Sequence, residues 1–454
     1  MVAGVWRSAR AVALAGVIAL AGVPVAAETL ADALIAAYRN SNLLEQNRAV
    51  LRAADEDVAQ AVARLRPVVA LSGGASYLNL RQDQLQASLD LQAELTLYDS
   101  GSNALAVEAA KESVLATRQL LVQREQDVLL AAVRAYVGVR LQEDFVALRQ
   151  ANLRLITQEL RAAKDRFEVG EITRTDVALA EARLAASRSE LVQAEGDLAV
   201  ARENYLLAVG KPPGRLAPVP RSPRTADSLA SAKRLASQSH PLIRQAQHQV
   251  TVSELGIAQA KAAMGPSVSL RASRSFPDTG KPASSASLTL NQTLYAGGRL
   301  SSIYRQALAR RDQARSGLHQ TVAEVGLGVG QAWANLSVAN ASIVASVRQI
   351  EAAQTAFDGV REEARLGART TLDVLDAEQD LLAARTSRIS AGATQVIQVY
   401  ALLASMGLLT ADHLGLGIPT YDPAAYYNAV KNAPATSAQG KKLDRVLQAI
   451  GKTK

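Results

Sequence analysis

Asp373, Asp376 and Asp380 stand at i, i+3 and i+7 in the run G-A-R-T-T-L-D-V-L-D-A-E-Q-D, residues 367–380. On a helix that spacing puts all three carboxylates on one face. Such a face attracts cations if it lines an enclosed path. It is equally what a solvated acidic surface looks like, with Asp373 simply well placed near a helix N-terminus. Spacing alone leaves both readings open. The four histidines, His240, His248, His319 and His413, are scattered, and no metal-ligand or nucleophile–base spacing links them to each other or to the aspartates. No catalytic site and no cofactor is expected.

The elements that hold these residues are duplicated. Residues 168–188 form a weaker copy of residues 365–385, separated by 197 positions (367 − 170) without a gap. Gly170 matches Gly367, Thr173 matches Thr370, Asp176 matches Asp373, Glu181 matches Glu378 and Arg188 matches Arg385. In each copy a Gly ends one helical pattern, and a Thr and an Asp open the next, the grammar of a helix–turn–helix tip. Only the second copy carries Arg369 and Asp376, where the first has Ile172 and Leu179. A duplicated architecture with these charges in only one copy suggests that the charge serves something besides folding.

The repeat extends over nearly the whole chain. Residues 30–48 answer 229–247 and Pro67 answers Pro266, 199 positions apart (266 − 67). Tyr98 and Gly101 answer Tyr295 and Gly298 at 197, as does Gly210 with Gly407. We divide the chain into a secretory signal (1–27), a first repeat (28–210), a Pro-rich linker (211–226), a second repeat (227–410) and a C-terminal strap and basic tail (411–454). The signal is read from Arg7 and Arg10 ahead of a short apolar run, with small residues before Glu28. The linker contains five prolines, which forbid a helix. In the last segment Tyr421 to Tyr427 read as a strap outside the helices, and Lys441, Lys442, Lys452 and Lys454 mark a tail too polar to fold alone.

Composition narrows the class. The chain is 48% hydrophobic but only 4% aromatic, which is the Ala, Val and Leu vocabulary of long helices. It has no cysteine, which excludes disulfides and cysteine-bound metals or lipids. The charge of +8 is modest for 454 residues and forms no basic and aromatic face, so no nucleic-acid partner is expected.

Each half reads as helix, two strands, very long helix, tip, helix. The first helix is expected over about 30–64. The period then changes to two, with strands about 67–98 and 266–295: Leu89, Leu91, Ala93, Leu95 and Leu97 alternate with polar residues, as do Leu288, Leu290 and Leu294. The segments are about ten residues long, which suits membrane strands; a small soluble sheet packed on helices is the alternative. Helical patterns then run over 101–169 and 298–366. The first has a seam at Val133, Val137, Leu141, Phe145, Leu148 and Leu155, and some 68 residues give about 100 Å of helix. Four membrane strands leave two unpaired edges, which hydrocarbon does not tolerate, and are too few to close a barrel. Several copies must pool them.

These features resemble the TolC family of outer-membrane efflux proteins over residues 28 to about 427. The half-length repeat carries the resemblance, with the joints T-L-Y-x-x-G and Q-T-L-Y-A-G-G and above all G-A-R-T-T-L-D-V-L-D at the second tip. The family implies a mainly helical chain with a small β part. Three chains would build a trimeric α-barrel tunnel and share a twelve-stranded transmembrane β-barrel, four strands from each. It also implies a periplasmic adaptor and an inner-membrane pump of the RND or ABC type. The place would be the outer membrane of a Gram-negative cell, extending into the periplasm. Efflux of drugs or other small molecules is the expected function. Type I protein secretion and, more remotely, a periplasmic coiled-coil scaffold without a pore are the alternatives.

By the same resemblance, Asp373 and Asp376 match an aspartate pair at the tunnel entrance, continued by Asp380. Three copies would form stacked carboxylate rings that raise each other's pKa. Arg369 matches a latch arginine that bonds across to the first tip, here Thr175 and Asp176. A gate tyrosine of the family falls at Ala364, so the latch here is expected to be weaker or built differently. Phe167, at the equivalent place in the first copy, is expected in the core.

Overall fold

The computed structural model describes residues 27–79, 83–220, 222–278 and 280–432. The expected signal and the Lys-rich tail lie outside those residues, save Ala27 and the residues up to 432. In chain order the elements are α1 (Leu30–Asn40), α2 (Asn42–Ala63), β1 (Val68–Asn79), β2 (Asp83–Tyr98), α3 (Ser102–Glu168) and α4 (Arg174–Val209). The second half gives α5 (Leu229–Ser239), α6 (Pro241–Ala262), β3 (Ser267–Pro277), β4 (Ala283–Asn291), α7 (Arg299–Arg365) and α8 (Thr371–Ser405). A short α9 (Pro423–Val430) follows. The long helices α3 and α7 each run for 67 residues, so each spans about 100 Å.

The helix expected over 30–64 is in fact two. Ser41 is extended (φ −68°, ψ 112°) and its hydroxyl accepts from the Leu44 N–H at 3.2 Å, which ends α1 and caps α2. His240 does the same in the second half, where its Nδ1 accepts from the Leu242 N–H at 3.2 Å. Pro241 holds His240 out of the helical region there, because a proline ring crowds the residue before it. Both breaks lie where a returning helix docks. Asn40 donates to the Val209 carbonyl at 3.2 Å, and Ser239 to the Met406 carbonyl at 3.3 Å.

The four strands form one antiparallel sheet in the order β1-β2-β3-β4, so β1 and β4 are edges. Register decides its chemistry. Leu95 faces Leu270, which faces Leu288, and Ala93 faces Ala272, which faces Ala286. Cross-strand partners share a face, so one face is nearly all apolar. Its exceptions are the Asn79–Asp83 pair at the strand ends and Arg274 with Ser284 opposite it, and the Arg274 guanidinium lies over the Phe276 ring at 5.2 Å. The other face carries Glu94 paired with Arg271 at 2.9 Å and Ser273 bonded to Ser285 at 2.8 Å. Leu71, Leu89, Leu91, Leu288 and Leu290 are all exposed in the single chain, so the apolar face is not packed on the chain's own helices.

Gly101 and Gly298 sit at the strand-to-helix joints with φ of 86° and 85° and open α3 and α7. Tyr98 is the last residue of β2, and Asp99 then caps the helix by accepting from the Asn103 N–H at 2.7 Å. The second joint differs from expectation. β4 stops at Asn291, leaving Leu294 and Tyr295 exposed beyond it. The β3–β4 ladder ends at Ser267–Asn291, and Pro266 has no N–H with which to continue it.

The main core lies about midway along the long helices. Tyr136 and Tyr205 are fully buried there. The Tyr136 hydroxyl donates to the carbonyls of Glu28 at 3.0 Å and Ala217 at 2.7 Å, and Tyr205 donates to Glu28 Oε1 at 2.6 Å. Those bonds fasten the start of the first half to the linker. Toward the tips the buried seam of α3 continues as Ile156, Leu160 and Ala163, while Leu155 packs on the α7 side. Outside α2 and α3, Tyr426 donates to Glu56 at 2.6 Å, and Arg48 lies between the rings of Tyr38 and Tyr421 at 5.4 and 5.3 Å.

Candidate functional site

The candidate site is the pair of helical tips, and both are built by one local rule. At the first, Gly170 has φ of 78°, its N–H donates to the Phe167 carbonyl at 3.0 Å, and the Glu171 N–H donates to Arg166 at 2.9 Å. At the second, Gly367 has φ of 76°, with the matching bonds to Ala364 at 3.2 Å and from Ala368 to Glu363 at 2.9 Å. This is the left-handed glycine stop that satisfies the last carbonyls of a helix. Three residues later a capping box opens the next helix. The Thr370 N–H and hydroxyl donate to Asp373 Oδ2, each at 2.9 Å, and the Asp373 N–H donates back to Thr370 Oγ1 at 3.2 Å. Thr173 and Asp176 repeat it at 2.9, 2.7 and 3.3 Å. Thr370→Ala is expected to weaken the start of α8 by about 1 kcal/mol, read as faster amide exchange over its first turn with the rest of the helix unchanged.

Asp373 therefore has a structural task inside its own chain. Its bonds from Thr370 and the nearby Arg369 charge hold its carboxyl below the usual carboxylate range, the opposite sign to the ring repulsion expected among three copies. Asp376 is exposed and accepts from Arg183 of α4 at 2.8 Å. Asp380 is exposed one turn further along the same arc.

The expected latch of Arg369 to Thr175 and Asp176 is not made within one chain. Arg369 Nε instead donates to Glu363 of its own tip at 2.9 Å. Asp176 is occupied by Thr173, and Thr175 is exposed. Phe167 is 44% exposed rather than in the core, because it lies in the last turn of α3, beyond the final buried residue at Ala163.

Other residues tie the two hairpins together, and sequence reasoning missed them. Arg166 of α3 donates to the carbonyl of Ala364 at 2.9 Å, at the position that the resemblance aligns with the family's gate tyrosine. Arg361 of α7 pairs with Glu159 of α3 at 3.1 Å. Arg183 bonds both Asp376 and Gln379 of α8. Between the tips lies an open groove of about 610 Å³, lined by Glu159, Arg166, Arg361 and Ala364 among others. A signal was present: Arg166 occupies the place of Glu363 in the repeat, and Arg183 that of Asp380. Equivalent positions of opposite charge are what two packed copies of one hairpin need to attract each other.

The histidines have local partners or none of chemical use. His240 caps α6, and His248 Nδ1 lies 2.8 Å from Glu112. Among the described residues no group of three or more His, Cys, Asp or Glu side chains is placed to hold a metal ion, and no helix is long and apolar enough to cross a membrane.

Comparison with known proteins agrees with this geometry. The profile of the outer membrane efflux protein family matches residues 34–211 and 233–408, one segment for each half. The outer membrane efflux protein BepC of Brucella suis is 36% identical over 434 residues, covering 93% of this chain and 95% of that one. The alkaline protease secretion protein AprF of Pseudomonas aeruginosa is 26% identical over 66% of this chain and 65% of its own. Among solved structures, one of the channel-forming protein CusC superposes with a TM-score of 0.76 at 20% identity, covering 84% of this chain and 92% of that one. A duplicated pair of long helical hairpins, a four-stranded sheet with one lipid-ready face and matches spanning both halves lead to one assignment: the chain belongs to the outer membrane efflux protein family.

Proposed function

We propose that the protein is the outer-membrane exit duct of a tripartite efflux system, a homotrimer whose three sheets close into one twelve-stranded barrel above a helical tunnel. One observation carries this reading. The sheet is apolar on one face and polar on the other, and both of its edges are unpaired. In lipid such edges must find partners, and further copies of the same sheet supply them. Purified protein in detergent is expected to run as a trimer and to conduct ions in planar bilayers. A monomer without conductance would remove the proposal.

On this reading the tips form the periplasmic gate, and a periplasmic adaptor with an inner-membrane pump of RND or ABC type engages that end. Asp373, Asp376 and Asp380 then approach their symmetry mates around the axis. Replacing Asp373 and Asp376 together by alanine is expected to lower cation over anion selectivity several-fold, since rings of carboxylates set the sign of a pore. Unchanged reversal potentials in a salt gradient would exclude them from the lumen. Arg369 remains a candidate for a latch between neighbouring chains, where a second chain could offer Thr175 and Asp176.

Protein secretion is the second reading, favoured by the similarity to AprF. The similarity to BepC is higher and covers more of both chains, so efflux is preferred. A deletion strain separates the two, through raised drug sensitivity or missing exported proteins.

A further inference from the structure

This inference rests on reading the tips as a gate and concerns how their closed packing is controlled. Glu378 of α8 is 4% exposed, and its Oε1 has no hydrogen-bond partner. It lines a cavity of about 30 Å³ between α8 and the α3/α4 hairpin, together with Asn152, Arg183, Ser187 and Glu190. The Ser187 hydroxyl is also buried and unpartnered. That space suits a single water rather than a larger ligand.

The charges around Glu378 come from each element packed on it. From α3 comes Glu159, already paired with Arg361 of α7 at 3.1 Å. From α4 come Glu190, paired with Arg149 of α3 at 2.6 Å, and Arg183, engaged with Asp376 and Gln379. On α8 itself Asp376 is the carboxylate that Arg183 holds. Each neighbouring arginine thus has another carboxylate to satisfy. The repeat supplies a control. Glu181, the equivalent of Glu378 in the first copy, is exposed and pairs with Lys164 at 2.9 Å. A hairpin of this type does not need a buried glutamate in order to fold.

We propose that Glu378 is a proton-operated brace between the two hairpins: protonated, it lets α8 seat against α3 and α4, and ionised, it drives them apart. A neutral carboxyl is tolerated in such a cavity, whereas an unpaired carboxylate is strongly disfavoured. Burial first, then the charge of Glu159 and more weakly that of Glu190, push the Glu378 carboxyl up from 4.5 to about 7, against the pull of Arg183. The sign follows by linkage. The seated tip binds the proton more tightly than a parted tip in which Glu378 meets water. Seating is therefore fully supported at acid pH, weakens as pH rises from 4.5, and has lost that support once pH passes about 7. The ratio of seated to parted tips should fall by on the order of 100-fold per protomer across that window.

The test is amide hydrogen exchange over α8 in the intact detergent-solubilised protein across this pH window, corrected for intrinsic exchange, with bilayer conductance recorded in the same series. In the wild type, exchange near residue 378 should accelerate tens-fold beyond the intrinsic rate as pH rises. Glu378→Gln should remain protected throughout. Glu190→Gln, which removes a repelling carboxylate without crossing the seam, should move the midpoint to lower pH. A Glu378→Gln profile that follows the wild type overturns the brace. If that variant fails to assemble, an unmoved midpoint in Glu190→Gln does the same. Proton-dependent exchange that Glu378→Gln abolishes, with a conductance flat in pH, upholds the brace and removes the gate reading instead.

Discussion

Replacing Arg166, Arg183 and Arg361 together by alanine is expected to part the two hairpins and raise single-channel conductance by about tenfold or more. The three side chains tie the hairpins together through the Ala364 carbonyl, through Asp376 and Gln379, and through Glu159. None is strong alone. The Arg183–Asp376 pair is 36% and 57% exposed at its side chains, and exposed ion pairs are worth about 0.2–1 kcal/mol. The Arg361–Glu159 pair is better shielded on its acidic side, at 18% exposed. Together they amount to roughly 2 kcal/mol per chain, or about thirtyfold in the ratio of closed to open tips. Single replacements should each change conductance by no more than a few-fold. Triple-variant channels that conduct like the wild type would show that the tips are held by apolar packing, or by neighbouring chains, instead.

The second large effect concerns stability. Gly407→Ala is expected to destabilise the fold by about 2–5 kcal/mol, from a left-handed backbone and overpacking combined. Gly407 has φ of 78°, and an added Cβ would lie 2.8 Å from the Cα of His240 and 3.0 Å from Pro241 Cδ. Those neighbours are backbone and a ring, so they cannot rotate away. Gly210→Ala should behave similarly, since its Cβ would lie 2.6 Å from the Cβ of Asn40. The tip glycines provide the comparison. Gly170 and Gly367 have the same backbone sign, but nothing lies within 4 Å of an added Cβ, so alanine there should cost only about 1–2 kcal/mol. Melting temperatures of the four variants rank these effects directly; equal losses at all four sites would mean that the close approach to residues 40 and 240 contributes nothing.

Glu378→Gln and Thr370→Ala test the tip separately from these two. The paired aspartate variant also removes the Arg183–Asp376 tie, so it is read by the sign of its selectivity rather than the size of its conductance. Only Glu378→Gln should remove a pH response. Only the aspartate variant should alter selectivity.

Much of this protein was legible in residue order. Gly170, Gly367 and the Thr–Asp pairs that follow them encode both tips through short-range bonds. Leucines at every second position announced strands, and unbroken helical periodicity announced α3 and α7. The 197-residue repeat (367 − 170) fixed which elements correspond. All of these are local rules, or comparisons of a sequence with itself, and they need no knowledge of what lies across a gap.

Tertiary structure decided the rest, because it decides which charges meet. Whether Arg369 meets Glu363 or Asp176 depends on how the two tips are placed, and within one chain its Nε donates to Glu363 of its own tip. Glu181 and Glu378 are one residue type at one repeat position, yet the first is exposed and the second enclosed by α3 and α4. Burial is set by the neighbouring helices, and no periodicity within α8 records it. Likewise the end of α4 docks beside the break at Ser41, through a bond between Asn40 and the Val209 carbonyl 169 residues apart that no local pattern records.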